Sequence, residues 1–520
     1  MTSDQGGVKI EEKLLRETVF SMGSGTVITL FASISYFIIS FLSRVVILRL
    51  ITVDDWGQFT LAVSVIALFG MIAPLGMDAS VARNIAYFGE QRRKSIAWNG
   101  FVFSVVLGVA FSAIVAILSP SFGKFFHNSY LSYIMLLFSP VLLFGIISQM
   151  ASSIARGHSN TIANALFVNL LPPTLFAVIS LVLYFSGENF LGILLGNVFS
   201  ALAVSLLALS YVWRKGYLRT GEHASWQETR FLLFFGLPIM MVGFSSYFMI
   251  YADTLILGFF RNAVQVGYYS AALSLSKLGY LGVNAMGFII LPVASGLLSK
   301  KRGVELNLLY RNLLKWGLVI AVPVFLLFFD FPTATLSIAF GYRYGKSALA
   351  LQILAIGSFV NSVIGPSSPA LAATGKTKKV ALSGLSGAGG NILLCIILIP
   401  PFGFVGAALA SVIGSFFYRS LCLVFFAKEN RLQPFNANFL KPLLLSVIVP
   451  YTFFAVFKPE LTLYLAILML VGTFAFTIIS ILITASLEES DIFILEFAEH
   501  ILKRRLKLVR RIGRKFIVSK

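Results

Sequence analysis

The 520-residue chain is 58% hydrophobic and only 12% charged, and its mean hydropathy is +0.89. Because a soluble domain carries roughly twice that share of charged residues, this composition excludes a soluble globular protein. A transmembrane helix needs about 20 apolar residues, and the segments that meet this need are, in chain order, 22–44, 56–80, 96–119, 131–155, 163–185, 189–213, 231–258, 266–292, 312–331, 346–372, 380–399, 403–427, 441–457 and 461–484. Backbone groups in lipid must be satisfied internally, so the predicted fold is an all-α integral membrane protein of about fourteen transmembrane helices.

The basic residues predict the orientation of these helices. The formal net charge is +20, and counting loops from a cytoplasmic N-terminus places most of the 41 Lys and Arg residues on the inner side. Since basic residues are retained in the cytoplasm during insertion, we expect a multi-pass protein of the cytoplasmic membrane with both termini in the cytoplasm. The charge then requires no nucleic-acid partner. Residues 1–19 are polar and predict no cleavable signal peptide.

The chain repeats itself at a shift of about 210 residues. The aligned pairs are Gly57-Gln-Phe-Thr60 with Gly267-Tyr-Tyr-Ser270, Phe190-Leu-Gly192 with Phe404-Val-Gly406, and Gly157 with Gly375. An even number of helices per repeat gives both halves the same orientation, with a substrate path between them. The predicted parts are a six-helix N-lobe (1–213), a pseudo-symmetric six-helix C-lobe (231–427), two further helices (441–484) and a tail (485–520).

The tail, residues 485–520, alternates apolar side chains with dense Lys and Arg. This pattern is typical of a basic amphipathic helix on the anionic lipids of the inner leaflet. A solvated tail is the alternative interpretation.

The eighth segment carries a polar stripe with a cation in the middle. Ser270, Ser274, Lys277 and Asn284 have the spacing of one helix face. A charge within a span is costly and needs a cavity or a partner. We therefore predict that this stripe lines a substrate cavity; the alternative is a structural lysine satisfied by neighbouring carbonyl groups.

Two further segments carry charged residues on polar faces. In the first, Ser40 and Arg44 lie on one face with other hydroxyl side chains, and Arg44 either lines the cavity or extends to the outer interface. In the seventh, Asp253 could pair with Arg44 or Lys277, or could bind a coupling cation. These residues complete the predicted substrate cavity.

The remaining charges in the spans are candidates for coupling or gating, together with Asp253. Asp78 ends the second segment beside Arg83, where a structural ion pair is an equal alternative. Arg419 lies near the inner end of the twelfth segment, where a long side chain reaches the surface at little cost.

Catalytic, metal and cofactor sites are not predicted. The two cysteines, Cys395 and Cys422, fall within apolar spans and are expected to be buried, inert thiols. The four histidines lack the spacing of metal ligands. The predicted outer loops are short, and the chain has no nucleotide-binding loop or catalytic triad, which argues against an enzyme such as a glycosyltransferase or polymerase.

Several stretches resemble the polysaccharide biosynthesis proteins of the Wzx oligosaccharide-flippase type. They are Trp56-Gly-Gln-Phe59, Leu75-Gly-Met-Asp-Ala-Ser-Val-Ala-Arg83, Asp253-Thr-Leu-Ile-Leu-Gly258, Val266-Gly-Tyr-Tyr-Ser-Ala-Ala272 and Gly403-Phe-Val-Gly-Ala-Ala-Leu-Ala410. That family belongs to the MOP superfamily, with the MATE drug exporters and the MurJ-like lipid II flippases. The resemblance implies a two-lobed bundle that works by alternating access.

The resemblance also implies a substrate, a polyprenyl-linked oligosaccharide with a phosphate or diphosphate, flipped from the inner to the outer leaflet. Buried cations such as Lys277 suit its phosphate group. A cation-coupled small-molecule exporter of the MATE type is the alternative function, favoured by Asp253 and Asp78. Glycan polymerases or transferases are expected as further partners, and a monomer is the expected assembly. The glycan, the energy source and the bacterial or archaeal host stay open.

Overall fold

The computed structural model describes residues 24–218, 225–299, 303–430, 435, 437–457, 460–484 and 486. The predicted tail, residues 485–520, lies outside the described residues apart from Ser486. Within the described part of the chain, the regular secondary structure is entirely helical. The helices of seven or more residues are α1 (Ser24–Leu50), α2 (Val53–Ile72), α3 (Met77–Tyr87), α4 (Glu90–Phe125), α5 (Ser129–Gly157), α6 (Leu171–Leu183), α7 (Asn189–Arg214), α8 (Trp226–Phe260), α9 (Ala263–Gly279), α10 (Leu281–Ser299), α11 (Gly303–Asp330), α12 (Pro332–Phe340), α13 (Ala348–Ile364), α14 (Ser367–Ala373), α15 (Thr377–Phe402), α16 (Phe404–Asn430), α17 (Ala437–Phe457) and α18 (Leu463–Ile483).

Twelve helical segments among the described residues are long and apolar enough to cross a membrane. One of them, 161–214, contains both α6 and α7, which are separated by a turn where Gly187 has a φ of 102°. The predicted eighth span is divided between α9 and α10, which do not meet the same criteria of length and hydropathy. The all-α membrane architecture is therefore confirmed, whereas the number of fourteen spans stays a prediction.

The start of α2 shows how local sequence sets a helix boundary. The Thr52 hydroxyl oxygen accepts a hydrogen bond from the Asp55 amide at 3.1 Å, and the Asp55 carboxylate accepts one from the Thr52 amide at 3.2 Å. This reciprocal capping satisfies two amides that the helix itself leaves unpaired and contributes about 1 kcal/mol. The Asp54-Asp55 pair that follows α1 thus begins a helix.

Packing divides the chain into two units. The N-terminal unit comprises 28–271 and 390–410, and the C-terminal unit comprises the described residues of 24–27, 272–389 and 411–486. In the N-terminal unit, α5 packs against α4 and α7, and α8 packs against α2, α3 and α4. These units do not test the predicted lobes 1–213 and 231–427, which stay a prediction.

The C-terminal unit is organised around α11, which packs against α10, α13, α17 and α18. Its buried core includes Tyr310 and Leu314 of α11 and Phe426 of α16. Lys315 of α11 is buried, and its Nζ donates a 2.8 Å hydrogen bond to the Ser486 carbonyl oxygen. This bond attaches the chain beyond α18 to α11.

Two glycines allow α2 and α9 to touch through their backbones. A Cβ at Gly57, the fifth residue of α2, would lie 1.8 Å from the carbonyl oxygen of Ala263, the first residue of α9. A Cβ at Gly267, the fifth residue of α9, would lie 2.1 Å from the carbonyl oxygen of Val53, the first residue of α2. Gly57 and Gly267 are aligned in the predicted repeat, so the structure gives equivalent positions equivalent contacts.

A second aligned pair also makes equivalent contacts, and a third does not. A Cβ at Gly192 would meet the Leu183 backbone at 2.8 Å, and one at Gly406 would meet the Leu398 carbonyl oxygen at 2.2 Å. Gly157, by contrast, packs closely on Ile85, whereas Gly375 turns the chain with a φ of 75° and has nothing near its Cβ position. The alignment of Gly157 with Gly375 thus has no structural counterpart.

Candidate functional site

The predicted site residues are divided between the two packing units. The N-terminal unit contains Ser40, Arg44, Asp78, Arg83, Asp253 and Ser270. The C-terminal unit contains Ser274, Lys277, Asn284 and Arg419. Each unit therefore presents its own set of charged and polar groups within its apolar helices.

The polar stripe of the eighth segment is shorter than predicted. Ser270, Ser274 and Lys277 share a face of α9, with both serines buried and Lys277 half-buried. The helix ends at Gly279, because the Tyr280 amide bonds to the Lys277 carbonyl oxygen at 3.1 Å and breaks the regular i to i−4 pattern. Asn284 lies beyond this break, on α10. A helix break therefore interrupts the predicted stripe before Asn284, and its role in lining a cavity stays a prediction.

Asp253 is the most buried charged group among the predicted residues, with only 1% of its surface exposed. Its carboxylate accepts hydrogen bonds from the hydroxyl of Tyr269 on α9 and, at 2.8 Å, from the Thr254 amide. Hydrogen bonds of this kind satisfy a polar carboxyl group that is buried among apolar side chains. The sequence pattern alone did not indicate that Tyr269 is a hydrogen-bond partner of Asp253.

The same region of the N-terminal unit contains two buried polar groups of α15. The Cys395 thiol lies within electrostatic range of Asp253 and donates to the Asn391 side-chain oxygen at 3.6 Å. The Asn391 amide nitrogen has no hydrogen-bond partner among the described residues and is fully buried. Both cysteines are free and buried. In the described part of the chain, no three His, Cys, Asp or Glu side chains are grouped so as to hold a metal ion.

The first helix places its predicted cation beside α8. Arg44 and Ser40 are half-buried on α1, and Arg44 lies within electrostatic range of the Tyr251 phenol on α8. The hydroxyl of Ser43, which directly precedes Arg44, donates to the Ile39 carbonyl oxygen at 2.7 Å and is satisfied within its own helix. Arg44 thus adds positive charge to the same unit that contains Asp253.

Asp78 and Arg83 on α3 have different partners. The Gln149 side-chain amide of α5 donates to the half-buried Asp78 carboxylate at 3.2 Å, and the exposed Arg83 guanidinium lies 4.6 Å from the ring centre of Phe235 on α8. Nearby, Arg92 forms a 3.0 Å ion pair with Glu228, which lies in the first turn of α8. The arginines therefore join α3 and α4 to α8, and the Asp78–Arg83 pair considered from the sequence is not the arrangement seen.

In the C-terminal unit, Arg419 on α16 faces an aromatic ring. Its guanidinium carbon lies 5.8 Å from the ring centre of Tyr280, a separation at which a cation is attracted to the ring. The neighbouring Tyr418 hydroxyl lies 2.7 Å from the Ser368 hydroxyl, and the Ser367 hydroxyl donates to the Arg419 carbonyl oxygen at 3.1 Å. Ser367 and Ser368 begin α14, which follows a turn at Gly365, whose φ is 74°.

His158, between α5 and the next helical turn, gives a pH-dependent prediction. Its ring stacks on Tyr217 with 3.9 Å between ring centres. Burial lowers its pKa from the usual 6.5, against the hydrogen bond to Ile154, which raises the pKa, while Arg93 lowers it further. The unfolded chain therefore takes up a proton that the folded chain does not, and stability should fall as the pH drops through about 6.5.

We expect the melting temperature of the purified protein in detergent to fall between about pH 7.5 and pH 5.5. His158→Phe, which retains a ring for the Tyr217 stack, should reduce that fall. An equal fall in the wild-type chain and His158→Phe would contradict the assignment to His158.

The fold is that of a structural class that includes two solved membrane transporters. A solved lipid II flippase MurJ in an inward closed conformation superimposes with a TM-score of 0.72, over 89% of this chain and 98% of that one, at 13% identity. An inward-facing multidrug MATE transporter of the MOP superfamily gives 0.58, over 80% and 98%, at 15% identity. At these identities the likeness concerns the fold.

The sequence defines the family within this class. Residues 22–298, more than half of the chain, match the polysaccharide biosynthesis protein family, to which the chain belongs. A putative O-antigen transporter of Shigella flexneri is 25% identical over 69% of this chain and 86% of its own length. A probable low-salt glycan biosynthesis flippase of Haloferax volcanii is 28% identical over 44% and 49%, and an uncharacterised membrane protein of Methanocaldococcus jannaschii is 24% identical over 81% and 88%. The resemblance seen in the sequence is confirmed.

Proposed function

We propose that this protein is a flippase that moves polyprenyl-phosphate- or diphosphate-linked oligosaccharide across the cytoplasmic membrane by alternating access. The observation that carries the proposal is Lys277, a half-buried cation on the polar face of α9, within the part of the chain that matches the family. A phosphate group is the natural ligand for a cation held in an apolar environment. Relatives described as a glycan flippase and an O-antigen transporter support the same substrate class.

The alternative of a MATE-type small-molecule exporter has less support. A cavity for cationic drugs needs free carboxylates, whereas the Asp253 carboxylate already accepts hydrogen bonds from Tyr269 and Thr254. Two of the sequence relatives named above are described as a glycan flippase and an O-antigen transporter, and the MATE protein matches in fold at a lower TM-score than MurJ.

The remaining features of the transporter follow from the charge pattern of the sequence. Both termini would be cytoplasmic, and the basic tail would contact anionic inner-leaflet lipids. The protein would act as a monomer and would pass its substrate outward to glycan polymerases or transferases. The chain itself would perform no covalent chemistry.

Charged groups away from Lys277 are proposed to couple or gate the movement. Asp253 joins α8 to α9 through Tyr269, Arg83 contacts α8 from α3, and Asp78 accepts from α5. Each of these contacts connects two helices, as expected of groups that must change partners when a transporter changes conformation. Arg419, the fourth candidate, contacts the ring of Tyr280 from α16.

The test is complementation of a deletion strain of the host. Deletion should cause lipid-linked oligosaccharide to accumulate on the inner leaflet, and Lys277→Ala should fail to reverse this at normal membrane levels, because the phosphate-binding cation is lost. Lys277→Arg should restore export in part. Lys379→Ala is the matched control, since Lys379 forms a partly exposed ion pair with Glu429 and should complement fully. Normal export by Lys277→Ala would contradict the proposed role, and changed drug sensitivity with normal glycan export would favour an exporter.

A further inference from the structure

The position of Lys277 depends on a helix break that follows it immediately. α9 ends at Gly279 and α10 begins at Leu281, so Tyr280 alone separates the two helices. The Tyr280 amide donates to the Lys277 carbonyl oxygen at 3.1 Å, and the Asn284 amide donates to the Tyr280 carbonyl oxygen at 3.0 Å. Because Lys277 lies in the last turn of α9, whatever holds this break also determines where the Lys277 side chain begins.

Helix α13 holds the break from one side. The Asn361 side-chain amide donates to the Tyr280 hydroxyl at 3.0 Å, and the Ser362 hydroxyl donates to the Gly279 carbonyl oxygen at 3.3 Å. A Cβ at Gly279 would lie 2.5 Å from the Ser358 hydroxyl oxygen. The end of α9 is therefore pressed against α13, with both a main-chain and a side-chain attachment.

Helix α16 contributes a second set of contacts to the same residue. The Arg419 guanidinium carbon lies 5.8 Å from the Tyr280 ring centre. The Ser415 hydroxyl oxygen accepts a hydrogen bond from the Asn361 amide at 3.2 Å. Asn361 is only 1% exposed and so connects α13 both to the break and to α16.

Hydrogen bonds donated by a buried side chain such as Asn361 hold one arrangement strongly. Losing one partner leaves a buried polar group unsatisfied, which is more costly than losing an exposed contact. Tyr280 is therefore fixed in two respects, its hydroxyl by Asn361 and its ring by Arg419. Groups that hold a binding side chain to within a fraction of an ångström can decide affinity without touching the ligand.

We propose that Asn361, with Arg419, is a positioning residue for Lys277 and that it sets the affinity of the protein for the phosphate end of its substrate. The inference rests on the proposed function, since it takes Lys277 as the phosphate-binding group. Neither Asn361 nor Arg419 needs to contact the substrate. They act on it through Tyr280 and the last turn of α9.

The experiment measures binding of farnesyl diphosphate to the full chain purified in detergent, with farnesol as the uncharged probe. Asn361→Ala should weaken farnesyl diphosphate binding about ten-fold, because Lys277 would no longer be held where it makes its charge-assisted contact with the diphosphate, and it should leave farnesol binding unchanged. Tyr280→Phe removes the hydroxyl but retains the ring for Arg419, so it should show a smaller loss and serves as a milder variant if Asn361→Ala does not fold. Asn84→Ala, a buried asparagine hydrogen-bonded within α3, is the matched control and should change neither affinity.

A double-mutant cycle with Lys277→Ala separates positioning from general damage. If Asn361 positions Lys277, then Lys277→Ala should weaken diphosphate binding far less in the Asn361→Ala background than in the wild-type chain. Additive effects would overturn the positioning role while leaving the phosphate role of Lys277 intact. If Lys277→Ala alone leaves farnesyl diphosphate binding unchanged, the phosphate role fails, and the positioning inference fails with it.

Discussion

Valine in place of Gly57 should prevent most of the chain from accumulating in a folded form. The new Cβ would lie 1.8 Å from the Ala263 carbonyl oxygen and 3.0 Å from the Gly267 amide nitrogen. Ordinary overpacking costs about 1–3 kcal/mol because side chains can move aside. Here the obstacle is the backbone of α9, so the helices themselves must separate, and we expect a loss beyond that range. Gly267→Val should behave alike, since its Cβ would meet the Val53 carbonyl oxygen at 2.1 Å.

The measurement is the monodisperse fraction in size-exclusion chromatography of the detergent-extracted protein, with its melting temperature. Gly145→Val is the matched control, because Gly145 also lies within a helix but its Cβ position has nothing within 4 Å. Gly57→Val and Gly145→Val samples of equal yield and stability would show that α2 and α9 do not touch through their backbones in the folded protein.

Asparagine in place of Asp253 should abolish flipping while leaving the protein folded. The amide has nearly the size of the carboxylate and retains one oxygen that can accept from Tyr269 or Thr254, but it removes the charge. Asp253→Leu should also destabilise the protein, because it removes the acceptor of the hydrogen bond from the buried Tyr269 hydroxyl, at about 1–3 kcal/mol. Accumulated lipid-linked oligosaccharide reports flipping, and the melting temperature reports stability.

Tyr269→Phe distinguishes the charge from its hydrogen bond. This variant leaves the carboxylate in place and removes its phenolic donor, so it should lower the melting temperature and retain flipping. If Asp253→Asn flips at the wild-type rate, the charge of Asp253 has no part in coupling, and its role is the hydrogen bonding between α8 and α9.

The helical membrane fold could be predicted because length and hydropathy decide which segments enter a bilayer. The interruptions of the helices were harder to foresee. The segment 346–372 was predicted as one span, yet it breaks between α13 and α14 at Gly365-Pro366, a dipeptide that signals a turn. The break at Tyr280 follows a single glycine, Gly279, and the contacts that α13 and α16 make around it are not visible in the sequence.

The candidate site could be predicted only in part for the same reason. Charged residues inside apolar segments are visible in the sequence, and this identified Asp253 and Lys277. The environment of these two residues is not visible in the sequence, because other helices supply it. Asn391 belongs to α15, and Asn361 is 81 residues from Tyr280. One sequence contains no record of which distant residues meet in space.

The crossing of α2 and α9 has the form of an interface between two copies of one protein. In a two-fold symmetric dimer, residue i of one copy meets residue j of the other, and j meets i. Gly57 with Ala263 and Gly267 with Val53 obey this rule at the repeat shift. A half-length ancestor that paired with itself through this glycine would have needed no new interface when its gene was duplicated and fused. In such an ancestor a single codon would have served both sides of the contact, whereas in this chain Gly57 and Gly267 are separate positions, each constrained by the carbonyl group opposite.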